Sequence, residues 1–149
     1  MKKIITYEVR EAELFSIQID TTQDISVKDQ CSVIIRYVSK RGLQERLLAL
    51  INCTDSTGRG MLDLLKNVLK DNDLDIKKCV ANATDGAANM QGIYNGFSAL
   101  LESESPGQIH VWCYSHVLNL VISDATRSPV SATSLFVLLN GIALFFRVL

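Results

Sequence analysis

No two cysteines of this chain stand at Cys-x-x-Cys spacing, and no apolar signal segment follows Met1-Lys2-Lys3. A disulfide-stapled secreted scaffold is therefore not expected. Cys31, Cys53, Cys79 and Cys113 read as reduced, mostly buried thiols of an intracellular protein. Net charge is equally scarce, with a formal sum of -1. Such a chain does not wrap nucleic acid by bulk electrostatics, so any role on DNA needs local basic patches or a separate basic domain. Internal repeats and low-complexity runs are missing too. What remains is 149 residues, 48% hydrophobic and 21% charged, which suits one domain with a packed core.

Long spanning runs are also absent. The closing stretch, residues 135–149, is almost wholly apolar, but Asn140-Gly141 and Arg147 break it and it is shorter than a spanning helix requires, so no membrane segment is expected. It reads as a helix made for a protein neighbour or for a missing helical domain. It ends on Val148-Leu149 without a cap or polar tail, as if the chain stopped inside a larger fold.

Hydrophobic period places the elements. Residues 1–12 are mixed and charged and read as a poorly ordered lead-in. Residues 14–20 alternate and run into Thr21-Thr22-Gln23-Asp24, a turn-rich cluster, which predicts a strand. The β-branched run 30–39, the turn Lys40-Arg41-Gly42 and the run 43–53 predict two more strands in an antiparallel meander, although the leucines and alanine of the third also suit a helix. From Gly60 the period changes: Met61, Leu64, Leu65, Val68 and Leu69 predict an amphipathic helix ended by Asp71-Asn72-Asp73. Residues 78–83 predict a buried strand, and Met90, Ile93, Phe97, Leu100 and Leu101 a helix stopped by Pro106-Gly107. A brief strand at 109–112, a helix at 115–123 and a final apolar helix after Arg127-Ser128-Pro129 complete the order β-β-β-α-β-α-β-α-α. Periodicity alone therefore gives an α/β fold with a mixed sheet. The expected organisation is a lead-in at 1–12, a core at 13–130 and the apolar helix at 131–149.

Two acids stand out by position. Asp20 closes the run Phe15-Ser16-Ile17-Gln18-Ile19-Asp20, and Asp85 closes Cys79-Val80-Ala81-Asn82-Ala83-Thr84-Asp85. Carboxylates at the ends of neighbouring strands can share a divalent cation, and phosphodiester cleavage by two metals needs such converging hard oxygen ligands. Plain roles compete: Asp20 can open a turn, Asp85 can cap the helix after Gly86, and Asp24, Asp29 and Asp55 also lie near expected loops.

The segment His110-Val111-Trp112-Cys113-Tyr114-Ser115-His116 invites a zinc reading, but a structural zinc site wants four ligands, and Cys79 is the sole plausible fourth. Zinc is disfavoured on that ground. Cys113 otherwise reads as a small buried hydrophobe and His116 as a helix opener. A Cys113–His116 nucleophilic dyad lacks an orienting partner and an oxyanion hole. Thr54-Asp55-Ser56-Thr57-Gly58-Arg59-Gly60 lacks the Gly-Lys-Ser/Thr ending of a phosphate loop, and Lys40-Arg41 and Lys77-Lys78 are ordinary solvated charges.

Taken together, three blocks resemble the catalytic domain of hAT-superfamily DNA transposases, most of all the transposase-derived proteins of the zinc-finger MYM-type group. They are Phe15-Ser16-Ile17-Gln18-Ile19-Asp20-Thr21-Thr22-Gln23-Asp24, Asn82-Ala83-Thr84-Asp85-Gly86-Ala87-Ala88-Asn89-Met90 and Cys113-Tyr114-Ser115-His116-Val117-Leu118-Asn119-Leu120. The resemblance implies a ribonuclease-H-like fold: a mixed sheet with its first three strands antiparallel and later ones parallel, flanked by helices. It also implies a nuclear protein whose parent family acts on DNA and can oligomerise. Asp20 and Asp85 match the first two acids of a Mg2+- or Mn2+-dependent triad, and Cys113 and His116 match a pair that shapes the active site. The family's third acid, a glutamate, follows a helical insertion, and none of Glu102, Glu104 and Asp124 takes that role. The chain is therefore expected to be a truncated, domesticated transposase core, inactive alone. The alternative is a non-enzymatic nuclear DNA- or protein-binding module acting in transcription or chromatin.

Overall fold

The computed structural model describes residues 2–23, 29–127, 134–135 and 137–141. The chain divides into two compact units, 1–113 and 114–149, each taken by itself below.

The first unit is a five-stranded sheet with helices. Its elements are α1 (Lys2–Ala12), β1 (Phe15–Gln23), β2 (Asp29–Ser39), β3 (Gly42–Asn52), α2 (Gly58–Asp71), β4 (Cys79–Thr84), α3 (Ala88–Gln91), α4 (Phe97–Glu104) and β5 (Ile109–Trp112). The strand order is β3-β2-β1-β4-β5. β1 pairs antiparallel with β2, and β2 antiparallel with β3, while β4 joins β1 and β5 joins β4 in parallel. The expected mixed sheet is thus present, with β1 at its centre.

One face of the sheet carries the core. Phe15, Ile17 and Ile19 of β1 and Cys31, Val33, Ile35 and Tyr37 of β2 alternate onto it and are buried. Leu48 and Ala49 of β3 are both buried because the register slips by one residue between Val33 and Ile34, so a bulge turns two successive side chains inward. Against this face α2 lays Met61, Leu62, Leu65, Val68 and Leu69, and α4 lays Phe97 and Leu101. Each such full burial is worth about 1.5–3 kcal/mol before the cost of ordering the chain. The Thr57 hydroxyl accepts the Gly60 N–H (3.1 Å) and starts α2.

Three expectations need correction. Residues 2–12 are a helix, not an irregular lead-in: Ile5 and Val9, four apart, enter the core, and the Tyr37 hydroxyl donates to Glu8 (2.5 Å). Burial, with the Glu8 bond behind it, pushes the Tyr37 phenol up to about 12. The first strand does not end at Asp20 but runs to Gln23, because β2 is long enough to pair Thr21, Thr22 and Gln23 with Cys31, Gln30 and Asp29. Asp24 lies outside the described residues. The helix expected across Met90 to Leu101 is two short helices, α3 and α4, and Ile93 and Tyr94 between them are exposed. Gly92 and Gly96 allow the break: the Gly96 N–H meets the Gly92 carbonyl at 2.8 Å, and a methyl group on Gly96 would sit 2.3 Å from Gly92 N.

In the second unit, α5 (Tyr114–Arg127) is longer than the 115–123 expected, and Leu118, Leu120, Val121 and Ile122 are exposed. The apolar helix expected at 131–149 falls largely outside the described residues; 134, 135 and 137–141 are described and helical. Among the described residues, no helix is long and apolar enough to cross a membrane.

Candidate functional site

The parallel pairing of β1 with β4 sets the relation between the two acids. Its register runs Ser16 with Ala81, Ile17 with Asn82 and Gln18 with Ala83. Two residues beyond Gln18 stands Asp20, and two beyond Ala83 stands Asp85, one residue past the end of β4. Asp20 is exposed within the central strand, where β1 has outrun β4 but still pairs with Ser32 of β2. Ile19 before it and Thr84 before Asp85 are buried on the helix side. Strand alternation therefore assigns Asp20 to the face opposite the core, while Asp85, just past β4, is partly exposed. Asp85 stands directly after β4, and its Oδ1 accepts the Ala87 N–H (3.2 Å), so one carboxylate oxygen also stabilises the turn into α3.

Behind Asp85, on the helix-covered face, lies a hydrogen-bond relay drawn from four elements. It begins at Trp112 of β5, whose indole Nε1 donates to Gln91 Oε1 (2.9 Å). An indole N–H can only donate, so the Gln91 amide has one orientation: oxygen to Trp112, nitrogen to the other side. That nitrogen reaches His110 Nε2 (2.7 Å), the Asp85 carbonyl (3.0 Å) and the Thr84 hydroxyl (3.2 Å). With a donor in front of Nε2, the imidazole must accept there and carry its proton on Nδ1. Nδ1 in turn faces Asn82 Oδ1 (2.6 Å), and Asn82 Nδ2 donates to Gln108 Oε1 (2.9 Å). Ser98 of α4 sits 3.0 Å from His110 Nδ1 and donates to Asn82 Oδ1 (3.4 Å). The relay ends at Gln108 Nε2, a buried nitrogen without a partner. Burial holds the His110 imidazole below its ordinary value of 6.5, which agrees with the neutral tautomer that the donors demand.

Residue reading missed this relay. Its single sequence signal is the pair of polar residues Asn82 and Thr84 at alternate positions of an otherwise apolar run, both buried on the core side. Gln91, Ser98 and His110 come from three further elements, which spacing could not bring together.

Cys113 ends the first unit, and its N–H extends the β4–β5 ladder to the Thr84 carbonyl (2.9 Å), whereas His116 lies in α5 of the second unit. Cys79 is buried, its thiol pushed up to about 11 by burial, and its Sγ donates to the Ala81 carbonyl (3.3 Å). In the loop before α2, Asp55 Oδ1 accepts the Thr57 N–H (2.9 Å), which holds its carboxyl below the usual range. That loop is a capped helix start, tied to α3 by Asn89 Nδ2 donating to the Ser56 carbonyl (2.7 Å).

A divalent cation would need hard oxygen donors, and Asp20 and Asp85 each stand two residues beyond the last β1–β4 pair. Among the described residues no three His, Cys, Asp or Glu side chains converge as a metal site. Asp20 and Asp85 are the candidate ligands for such an ion.

A mixed β3-β2-β1-β4-β5 sheet flanked by helices is that of an RNase-like α/β domain. Residues 1–96, well over half of the chain, match the family model described as ZMYM1/FAM200, RNase-like domain (DUF4371), and the chain belongs to that family. The match takes in Asp20, Asp85 and Gln91 and stops before β5.

Proposed function

We propose that this chain is part of a domesticated hAT-transposase-derived catalytic core, zinc-finger MYM-type-like, in which Asp20 and Asp85 supply two carboxylates for Mg2+ or Mn2+. The reading is supported by the β1–β4 register, whose last pair, Gln18 with Ala83, lies two residues before each acid. Membership of the ZMYM1/FAM200 RNase-like family supports it. In this reading DNA is the parent family's substrate, the nucleus is the compartment, Cys113 and His116 shape the site and zinc takes no part.

The 149-residue chain does not cut or join DNA by itself. Magnesium keeps its waters unless several carboxylates or phosphates converge, and two acids alone bind it weakly. The test is metal-dependent nicking and strand transfer on hairpin and terminal-inverted-repeat DNA, with Asp20→Asn and Asp85→Asn as controls. The expected result is no turnover above either variant. Robust turnover abolished by Asp20→Asn would overturn the inactivity while keeping the acids.

One observation favours a second reading, a non-enzymatic nuclear binding module. On the sheet face opposite the core, Val38, Leu43, Leu47 and Leu50 are each more than half exposed, an apolar area suited to a protein partner. Retention of DNA or a nuclear protein by Asp20→Asn/Asp85→Asn as strong as by the unaltered chain would support it.

A further inference from the structure

We propose that Gln91 is a positioning residue for Asp85, its carboxamide clamping the end of β4 from behind in an orientation imposed by Trp112 and read by neutral His110. The inference rests on the metal-ligand reading of Asp85, and deepens it by naming what holds that ligand in place.

Asp85 is the first residue beyond β4, where the ladder no longer fixes the backbone. Gln91 replaces that support with one side chain, its nitrogen lying 3.0 Å from the Asp85 carbonyl and 3.2 Å from the Thr84 hydroxyl. From the same region the Asp85 carboxylate holds the Ala87 N–H. A carboxylate used as a metal ligand is held to productive geometry by such outer contacts, and losing one costs about 10- to 100-fold in metal affinity.

The orientation of the amide is not free. Turning it over would set its NH2 against the Trp112 N–H and its oxygen against the Asp85 carbonyl, two repulsive pairings in place of two hydrogen bonds. His110 works in the same sense only while neutral. A proton on its Nε2 would face the Gln91 nitrogen at 2.7 Å, donor against donor. The groups around the ring, Asn82 of β4, Gln91 of α3 and Ser98 of α4, are uncharged, so none of them compensates a protonated imidazole.

Gln91→Glu is the informative variant, because it keeps shape and volume and accepts from Trp112 but donates nothing to Asp85. Gln91→Leu removes both functions. Three measurements on the 149-residue chain are needed: paramagnetic broadening in a Mn2+ titration, hydrogen exchange at the Ala87 amide, and the 15N pattern of the His110 ring. In the unaltered chain, Mn2+ should broaden signals at Asp20 and Asp85, and His110 should show the neutral form protonated on Nδ1. Gln91→Glu should weaken Mn2+ binding about tenfold, speed Ala87 exchange and bring His110 to the doubly protonated form at neutral pH. Gln91→Leu should repeat the first two effects without the third.

Unchanged Ala87 exchange and unchanged Mn2+ affinity in both variants would overturn the clamp. The metal reading fails separately, if Asp20→Asn and Asp85→Asn leave Mn2+ broadening intact or the unaltered chain shows none. In that case Ala87 exchange and the His110 ring pattern alone decide the clamp: both shifted in Gln91→Glu supports it, both unmoved overturns it.

Discussion

Trp112 Nε1 donates to Gln91 Oε1 at 2.9 Å, and this one bond settles the direction of every later link in the relay, through His110 and Asn82 to Gln108. Trp112 is itself half exposed, so removing its donor should cost little stability and release much order. Trp112→Phe is expected to lower stability by about 0.5–1.5 kcal/mol. With the amide free to turn, it should also raise the His110 pKa. Urea melts and an NMR titration of His110 check the two halves, and an unmoved pKa would refute the orienting role.

His110 should also make stability depend on pH. Its folded pKa lies below the ordinary 6.5, so the unfolded chain takes up the proton first. The contribution of the neutral ring is whole above about pH 6.5 and is lost as pH falls from there through the folded value. The urea midpoint is expected to fall across that window, and His110→Gln should flatten the fall. An equal slope in the variant would assign the effect to other groups.

Gly58 opens α2 where the chain is closest to the α3–α4 connection. A methyl group there would lie 2.2 Å from Asn95 O, 2.8 Å from Phe97 N and 2.9 Å from Asn89 O, all backbone atoms that cannot swing aside. Gly58→Ala is expected to destabilise by about 1–3 kcal/mol. Thr57→Ala next to it should cost about 1 kcal/mol through the lost cap. Denaturant melts rank the pair, and a Gly58→Ala variant as stable as the parent would mean that the connection gives way.

The Cys31 and Cys79 thiols are buried and pushed up to about 11 by that burial, so neither offers thiolate near neutral pH. Iodoacetamide at about pH 8 should leave both unmodified in the folded chain and alkylate both in urea. Mass spectrometry of peptides reads this directly, and rapid labelling of either without denaturant would contradict the packing of β2 and β4.

How much of this was legible in the residues depended on where each one's partners lie. β1, β2 and α2 repeat their period for nine residues or more and face one core, so pattern sufficed there. β3 buries only the adjacent Leu48 and Ala49 at its bulge, and its leucines and alanine suited a helix as well. Thr21, Thr22 and Gln23 suit a turn as well as a strand, and only β2 beside them decides for the strand. α1 escaped notice because two buried apolar residues, Ile5 and Val9, are too few to outweigh its charges. Asp20 and Asp85 were visible as acids near strand ends, but their register depends on a parallel pairing that spacing does not encode. The relay was invisible for a related reason: each member is an ordinary polar residue until separate segments meet.

The first helix bears on how the domain is trimmed for any experiment. A version beginning at Leu14, where the strand pattern starts, would leave Tyr37 without its Glu8 acceptor and strip Ile5 and Val9 from above the meander. The exposed hole would be lined by the same strands that carry Asp20. Shortening the chain to its recognisable sheet would thus loosen the floor beneath the acid under study, and a lost signal in such a version would report on missing packing rather than on missing chemistry.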